Sequence, residues 1–323
     1  MSNTGYTFAV ARIRAMESAL FSGAVIDQLM SCKTYEEALR FLGEKGWGDG
    51  NPVQNTDAML SEERAKIWQT VEDLQVPMDT FDVLSYPNAF HNLKTAIKEA
   101  YLGEQYDAFF YENTTPSKED LREIIKNKDY QRLPKSMESA AQDAFETLLH
   151  TRDGQLCDVI IDRACLEAIR AAGEAAADDV IRTYAEITVA VADIKIAVRC
   201  QKTKKPYDFI LRALAPCKGM QTEALARAAT TGMDALCDYF AISGYAEAAE
   251  AVKVSPSAFE CWCDNYMIEM LQPQKYEAFS VGPLVAYIIA RENEIKTVGI
   301  ILSGKRNALS DEYIRERIRE MYV

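Results

Sequence analysis

Apolar residues return at three- and four-residue intervals along almost the whole chain, the spacing of one face of an α-helix. Phe8, Val10, Ile13, Met16 and Leu20 follow it between positions 6 and 20 and predict an opening helix. Thr34-x-x-Glu37 reads as a capping box ahead of Ala38, Leu39, Phe41 and Leu42, and Ser117-x-x-Asp120 opens Leu121, Ile124 and Ile125 in the same way. Ser255-Pro256 sets a cap before a proline at the first helical position. Residues 165–198 contain one glycine and no proline, which predicts a single helix of about 50 Å with Gly173 as a place for a kink. The β-branched run 187–191 lies inside that Ala-rich period without turn signals, so it reads as helix rather than strand. Linkers are short: residues 43–52, 112–116, 202–206 and 272–274. The fold class this predicts is all-α.

The pattern also repeats. The segments HNLKTAIKEAYLG, VADIKIAVRCQK and ENEIKTVGIILSG each carry an apolar residue followed by lysine, at Leu93-Lys94, Ile194-Lys195 and Ile295-Lys296. The lysines are 101 residues apart in both intervals. Asp162 and Glu167 return as Asp264 and Glu269, each 102 later, and SKEDLREII from Ser117 resembles SDEYIRERI from Ser310. A weaker fourth copy of the lysine helix lies at Ile13-Arg14. A unit near 100 residues is too long for a solenoid repeat. It predicts three related helical units, 1–115, 116–217 and 218–323, with Gly103 and Gly304 as equivalent helix C-caps.

Composition narrows the function. The chain has 323 residues with 48% hydrophobic, ample for a packed core, and only 15 Gly and 10 Pro against 43 Ala, which favours helix. Its 36 Lys+Arg and 49 Asp+Glu give a formal charge of −13, and nucleic-acid binding needs a concentrated basic face instead. Two histidines, His91 and His150, cannot build a histidine-rich metal site or proton relay. The eight cysteines form no CxxC pair and read as reduced thiols of a cytoplasmic protein, many of them buried. The N-terminus lacks the pattern of a signal peptide. The most apolar stretch, residues 281–290, is half the length a membrane span needs.

Candidate chemistry is thin. Residues 299–305 read GIILSGK, the GxxxxGK half of a phosphate loop, but Arg306 follows where Mg²⁺ binding needs a hydroxyl, and Ile300, Ile301 and Leu302 read as helix core. Asp178-Asp179 with Tyr184 and Glu186 resembles the paired acids of helical metal-dependent synthases without a facing second cluster; a solvated helix face is the simpler account. Glu146 and His150 are one turn apart with no second carboxylate–histidine pair to complete a di-metal site. No GxSxG is present, and no cofactor or metal site is expected. Asp162/Glu167 and Asp264/Glu269, recurring in two units, suggest pairing with a neighbouring helix. Arg14, Lys94, Lys195 and Lys296 hold equivalent positions. Each either makes a local ion pair or presents its charge to a partner on a common axis.

The C-terminal stretch from Gly282, with Glu294-Ile295-Lys296, Gly304 and the closing helix at Ser310, resembles the end of the C subunit of prokaryotic V-type ATPases, the family of the eukaryotic d subunit. The opening YTFAVARIRAMESALFS, with Arg12, Arg14, Met16 and Glu17, is similar to that family's first helix. Residues 50–158 depart more and match mainly through the repeat. The resemblance implies an all-helical, non-catalytic rotor part with three similar domains around a pseudo-three-fold axis, forming a funnel. It implies that the funnel rests on the cytoplasmic side of the membrane proteolipid ring, receives the lower end of the central stalk made by the D and F subunits, and transmits torque between them. It implies a monomer when isolated. Two other classes remain open from the residues alone: a metal-dependent synthase using Asp178 and Asp179, and a free-standing helical adaptor.

Overall fold

The structure is a computed structural model that describes residues 6–50, 56–112 and 114–323. Among these residues there are helices and turns and no strand; a single bridge, Cys217 to Met220, belongs to a turn. The α-helices are α1 (Thr7–Glu17), α2 (Gly23–Ser31), α3 (Tyr35–Glu44), α4 (Thr56–Asp73), α5 (Asp82–Leu102), α6 (Lys118–Asn127), α7 (Lys135–Thr151) and α8 (Gly154–Ala175). They continue with α9 (Asp179–Lys202), α10 (Tyr207–Ala213), α11 (Thr222–Thr231), α12 (Met233–Ile242), α13 (Ala246–Val254), α14 (Pro256–Leu271), α15 (Gly282–Arg306) and α16 (Asp311–Arg315). Of the expected linkers, 202–206 joins α9 to α10 and 272–274 opens a 3₁₀ turn, Gln272–Tyr276. Residues 51–52 of the first linker and Asn113 of the second lie outside the described residues, as do residues 1–5 of the first repeat.

The predicted caps form. Thr34 Oγ1 accepts the Glu37 amide at 3.1 Å, Ser117 Oγ the Asp120 amide at 3.1 Å, and Ser255 Oγ the Ala258 amide at 3.0 Å. Each satisfies an N–H that a helix start leaves without an intrahelical partner.

By packing, the chain forms two compact units. The terminal unit joins the residues up to Met78 with Glu247–Val323 and is organised on α15, which packs against α1, α2, α3, α4, α14 and α16. Leu284, Val285, Ile295, Val298, Ile301 and Leu302 of α15 are fully buried, around more than one side of the helix. That explains why α15 is apolar nearly all round. The central unit, Asp79–Ala246, is organised on α8, which packs against α5, α7, α9 and α10. The 101-residue register is a property of the sequence and runs across both units.

Two expectations are corrected. Residues 165–198 are not one helix: α8 ends at Ala175, Ala176 is extended (φ −67°, ψ 140°), and α9 folds back along α8. Gly173 is not a kink. It is a place of close approach, where an added Cβ would collide with the Ala185 Cβ. A long apolar period does not distinguish one helix from two that pack on each other. Gly304 likewise is no C-cap. It lies inside α15, whose cap is Asn307, and a Cβ there would meet Ile314 Cγ1 at 2.5 Å. Gly103 does cap α5, at φ +73°.

Candidate functional site: the lysine helices

Lys94, Lys195 and Lys296 lie on α5, α9 and α15, the three long helices that carry the repeat. In the central unit α5 and α8 run antiparallel, and two lysines one turn apart reach two aspartates one turn apart. Lys94 donates to Asp162 at 2.6 Å and Lys98 to Asp158 at 2.9 Å. In the terminal unit Lys296 donates to Asp264 of α14 at 2.5 Å, and Arg319 donates to the same oxygen at 2.8 Å. The recurring aspartates therefore pair with a neighbouring helix. Glu167 pairs along its own helix with Arg163 at 2.9 Å, and Glu269 is exposed. Lys195 is half-buried and also engaged. Arg14 pairs with Glu17 at 2.7 Å and donates to the carbonyls of Gln274 and Glu277 at 2.5 and 2.7 Å, which ties α1 to the 3₁₀ turn.

Two residues before each lysine lies a position that the sequence pattern singles out only at Glu294. It holds Asn92, Asp193 and Glu294, spaced 101 residues apart like the lysines, and all three are buried at 2% exposure or less. Each accepts a backbone N–H from an irregular segment. The Tyr111 amide donates to Asn92 Oδ1 at 2.8 Å, the Ala215 amide to Asp193 Oδ1 at 3.0 Å, and the Phe21 amide to Glu294 Oε2 at 2.6 Å. A buried amide without a partner costs about 1–3 kcal/mol, so each side chain fixes a returning segment against its helix. The signal was present: a polar residue at a fixed place in an apolar helical stripe, three times at one period. The N-terminal copy departs, because Arg12, two before Arg14, is exposed and pairs with Asp73 at 3.1 Å.

The three positions differ in charge. Asn92 is neutral, and its Nδ2 also donates to the Tyr111 carbonyl and Thr114. Burial pushes Asp193 up to about 7, although the Ala215 amide and the Arg163 charge favour its ionised form; its Oδ2 has no partner among the described residues. Glu294 is also raised by burial, against the pull of Arg291 and the Phe21 amide. Arg291 bonds Glu294 and reaches Glu63 of α4 at 2.7 Å; Glu63 also accepts from Lys66 at 2.8 Å and from the Gly48 amide at 3.2 Å. The guanidinium lies 5.3 Å from the Trp47 ring, which stacks on Phe21 at 5.5 Å. One half-buried arginine therefore connects α15, α4 and the segments after α1 and α3.

The remaining candidates are engaged elsewhere. Lys305 donates to the carbonyls of Met30 and Cys32 at the end of α2, Ile301 and Leu302 are buried, and residues 299–305 are helical. Asp179 bonds Arg182 one turn on, and Glu146 accepts from Gln142 at 2.9 Å. His91 Nε2 meets the Phe109 carbonyl at 3.0 Å. No group of three or more His, Cys, Asp or Glu that could hold a metal is found among the described residues. All eight cysteines are free, five of them buried, and burial pushes the Cys157 thiol up to about 11 and Cys165 to about 12. Among the described residues no helix is long and apolar enough to cross a membrane.

What the described residues show at these positions is an all-helical protein whose ion pairs and buried hydrogen bonds hold neighbouring helices and return segments together. The ATP synthase (C/AC39) subunit family matches residues 9–317, and the chain belongs to that family, the C-subunit group of the V- and A-type ATPases. It is 24% identical over 270 residues to the C subunit of the V-type sodium ATPase of Enterococcus hirae, covering 82% of each chain. It is 23% identical over 358 residues to the C subunit of the A-type ATP synthase of Methanocaldococcus jannaschii, covering 96% of this chain and 85% of that one. Against the C subunit of the A-type ATP synthase of Methanobrevibacter smithii the identity is 22%, over 98% and 88% of the two chains.

Proposed function

We infer that this chain is the non-catalytic central-stalk subunit of a V/A-type ATPase or ATP synthase. It acts as a socket that links the D–F shaft to the membrane proteolipid ring and carries torque between them during ATP-coupled ion transport. The observation that carries the reading is family membership across residues 9–317. The three buried polar positions at a 101-residue period support it. The reading expects three related units, 1–115, 116–217 and 218–323, arranged as a funnel around a pseudo-three-fold axis.

A torque-bearing part must be stiff and must hold two partners. Long helices locked to their return segments by buried hydrogen bonds supply stiffness, because interiors packed at crystal density transmit strain. Three related but non-identical walls seat an elongated shaft end in one orientation. The contacts on the axis are matched polar and apolar groups, with Arg14, Lys94, Lys195 and Lys296 as candidates. The protein sits on the cytoplasmic face of the membrane and is a monomer when isolated. A formal charge of −13 keeps the detached part soluble and disfavours anionic lipid heads.

The test is co-purification from native membranes followed by titration with purified D–F. The reading expects stalk and ring subunits to accompany the chain, with one copy per complex. A coupled complex that assembles without it, or no D–F affinity at tens of micromolar (about −6 kcal/mol), overturns it.

A further inference from the structure

Arg291 and Glu63 also line a cavity of about 380 Å³ within the terminal unit. Its walls come from α4, α15, the end of α1 and the turn after α3. The volume falls in the range of small-molecule sites, about 300–1,000 Å³. Met16, Leu20 and Ile67 give it an apolar side. Trp47 and Tyr287, only 3% and 6% exposed, line it as well.

Both of these aromatic side chains bring a hydrogen-bond donor that nothing in the chain accepts. The Trp47 ring is held by Phe21 at 5.5 Å and by the Arg291 guanidinium at 5.3 Å, but its indole N–H has no acceptor among the described residues. The Tyr287 hydroxyl has no hydrogen-bond partner among them either. Burial raises the Tyr287 phenol against the pull of Arg291, and the Glu294, Glu63 and Glu17 charges add to the rise, so it stays a protonated donor. Donors on buried side chains rarely go without an acceptor.

The charges around the cavity close within the chain, with one exception. Glu63 is held by Lys66 and Arg291, Glu294 by Arg291, Asp73 by Arg12 and Glu17 by Arg14. Lys45, exposed on the wall, has no carboxylate partner among the described residues and lies over the Phe41 ring at 5.5 Å. The cavity therefore lacks one negative charge and two acceptors, carried on a body apolar enough to cover Met16, Leu20 and Ile67.

We propose that this cavity binds a small monocarboxylate. Its two oxygens accept from the Trp47 indole N–H and the Tyr287 hydroxyl, its charge answers Lys45, and its apolar body lies on Met16, Leu20 and Ile67. A phosphate or polyphosphate brings more charge than one lysine answers and meets the Glu63 and Asp73 carboxylates in the same walls. The bound acid fastens the segments after α1 and α3 to α4 and α15, and so stabilises the folded terminal unit.

The experiment titrates the full, ¹⁵N-labelled chain with benzoate and hexanoate and follows the indole N–H signals of its three tryptophans. Trp68→Phe and Trp262→Phe assign the signal of Trp47 by elimination. Expected is a saturable shift of the Trp47 signal by the carboxylates and none by benzamide, which matches benzoate in shape without its charge. Tyr287→Phe and Lys45→Met are each expected to weaken benzoate about tenfold with an unchanged circular dichroism spectrum. Inorganic phosphate and Mg²⁺-ATP are expected to leave the signal in place. No saturable shift by either carboxylate up to about 10 mM overturns the proposal, as does an equal shift by benzamide or a stronger one by phosphate. Unchanged affinity in both variants also overturns it, and so does a loss in Lys45→Met alone, which is the mark of surface attraction.

Discussion

Asp193 and Ala215 stand 22 residues apart, and the Ala215 amide donates to Asp193 Oδ1 at 3.0 Å inside a fully buried site. One carboxylate thereby fixes the segment after α10 to the middle of α9. The same contact is made in neutral form by Asn92 and with an arginine counter-charge by Glu294. A single structural task is met in three electrostatic ways.

That difference makes stability depend on pH. Burial raises Asp193 from its ordinary 3.8 to about 7, so between these values the folded state holds a proton that the unfolded chain releases. Its contribution is complete below about pH 4 and is lost as pH rises through 7, by up to about 4 kcal/mol. Urea unfolding from pH 5.5 to 7.5 should show Asp193→Asn gaining stability over the parent as pH rises. A difference that stays flat with pH refutes the assignment.

Arg291 bridges two buried acids. Arg291→Ala leaves Glu294 without its cation and Glu63 with Lys66 alone, and should cost about 3–5 kcal/mol. Adding Glu294→Gln to that variant should return part of the loss, because the uncompensated buried charge is removed. Denaturant midpoints of the single and double variants measure the coupling.

Gly304 and Gly103, equivalent in the repeat, should respond to alanine for different reasons. Gly304→Ala forces a methyl against the buried Ile314 and should cost about 1–3 kcal/mol, eased by Ile314→Val. Gly103→Ala has open space but sits at φ +73°, so its cost is near 1 kcal/mol and Ile314→Val leaves it unchanged. Equal rescue of both by Ile314→Val contradicts this division.

Lys305 closes the end of α2 through two carbonyls. Lys305→Ala should lower stability by about 1 kcal/mol and leave calorimetric titration with Mg²⁺-ATP as featureless as in the parent. Micromolar ATP affinity lost in this variant would restore the phosphate-loop reading.

The exposed lysine pairs separate stability from partner binding. Lys94→Glu faces an Asp162 that is 56% exposed and should shift unfolding by about 1 kcal/mol or less. If the lysines reach the shaft, Lys94→Glu, Lys195→Glu and Lys296→Glu each weaken D–F binding about tenfold in calorimetry. Unchanged affinity in all three assigns them wholly to local pairing.

The sequence by itself determined the helical class, the caps at Thr34, Ser117 and Ser255, and the 101-residue period. These depend on local hydrogen bonding and on the 3.6-residue spacing of apolar groups, which read out over a few residues. It also placed the lysines two residues from the buried polar positions, without showing which position was buried. Only the tertiary structure decided that residues 165–198 turn back on themselves, since Ala185 packing against Gly173 joins segments whose patterns are each simply helical. It also decided that Glu294 answers to Phe21, 273 residues away, and that Lys94 finds Asp162 while Lys296 finds Asp264. A partner brought by folding leaves no spacing rule in the chain, because the closeness of two side chains across a packed interface depends on every helix between them.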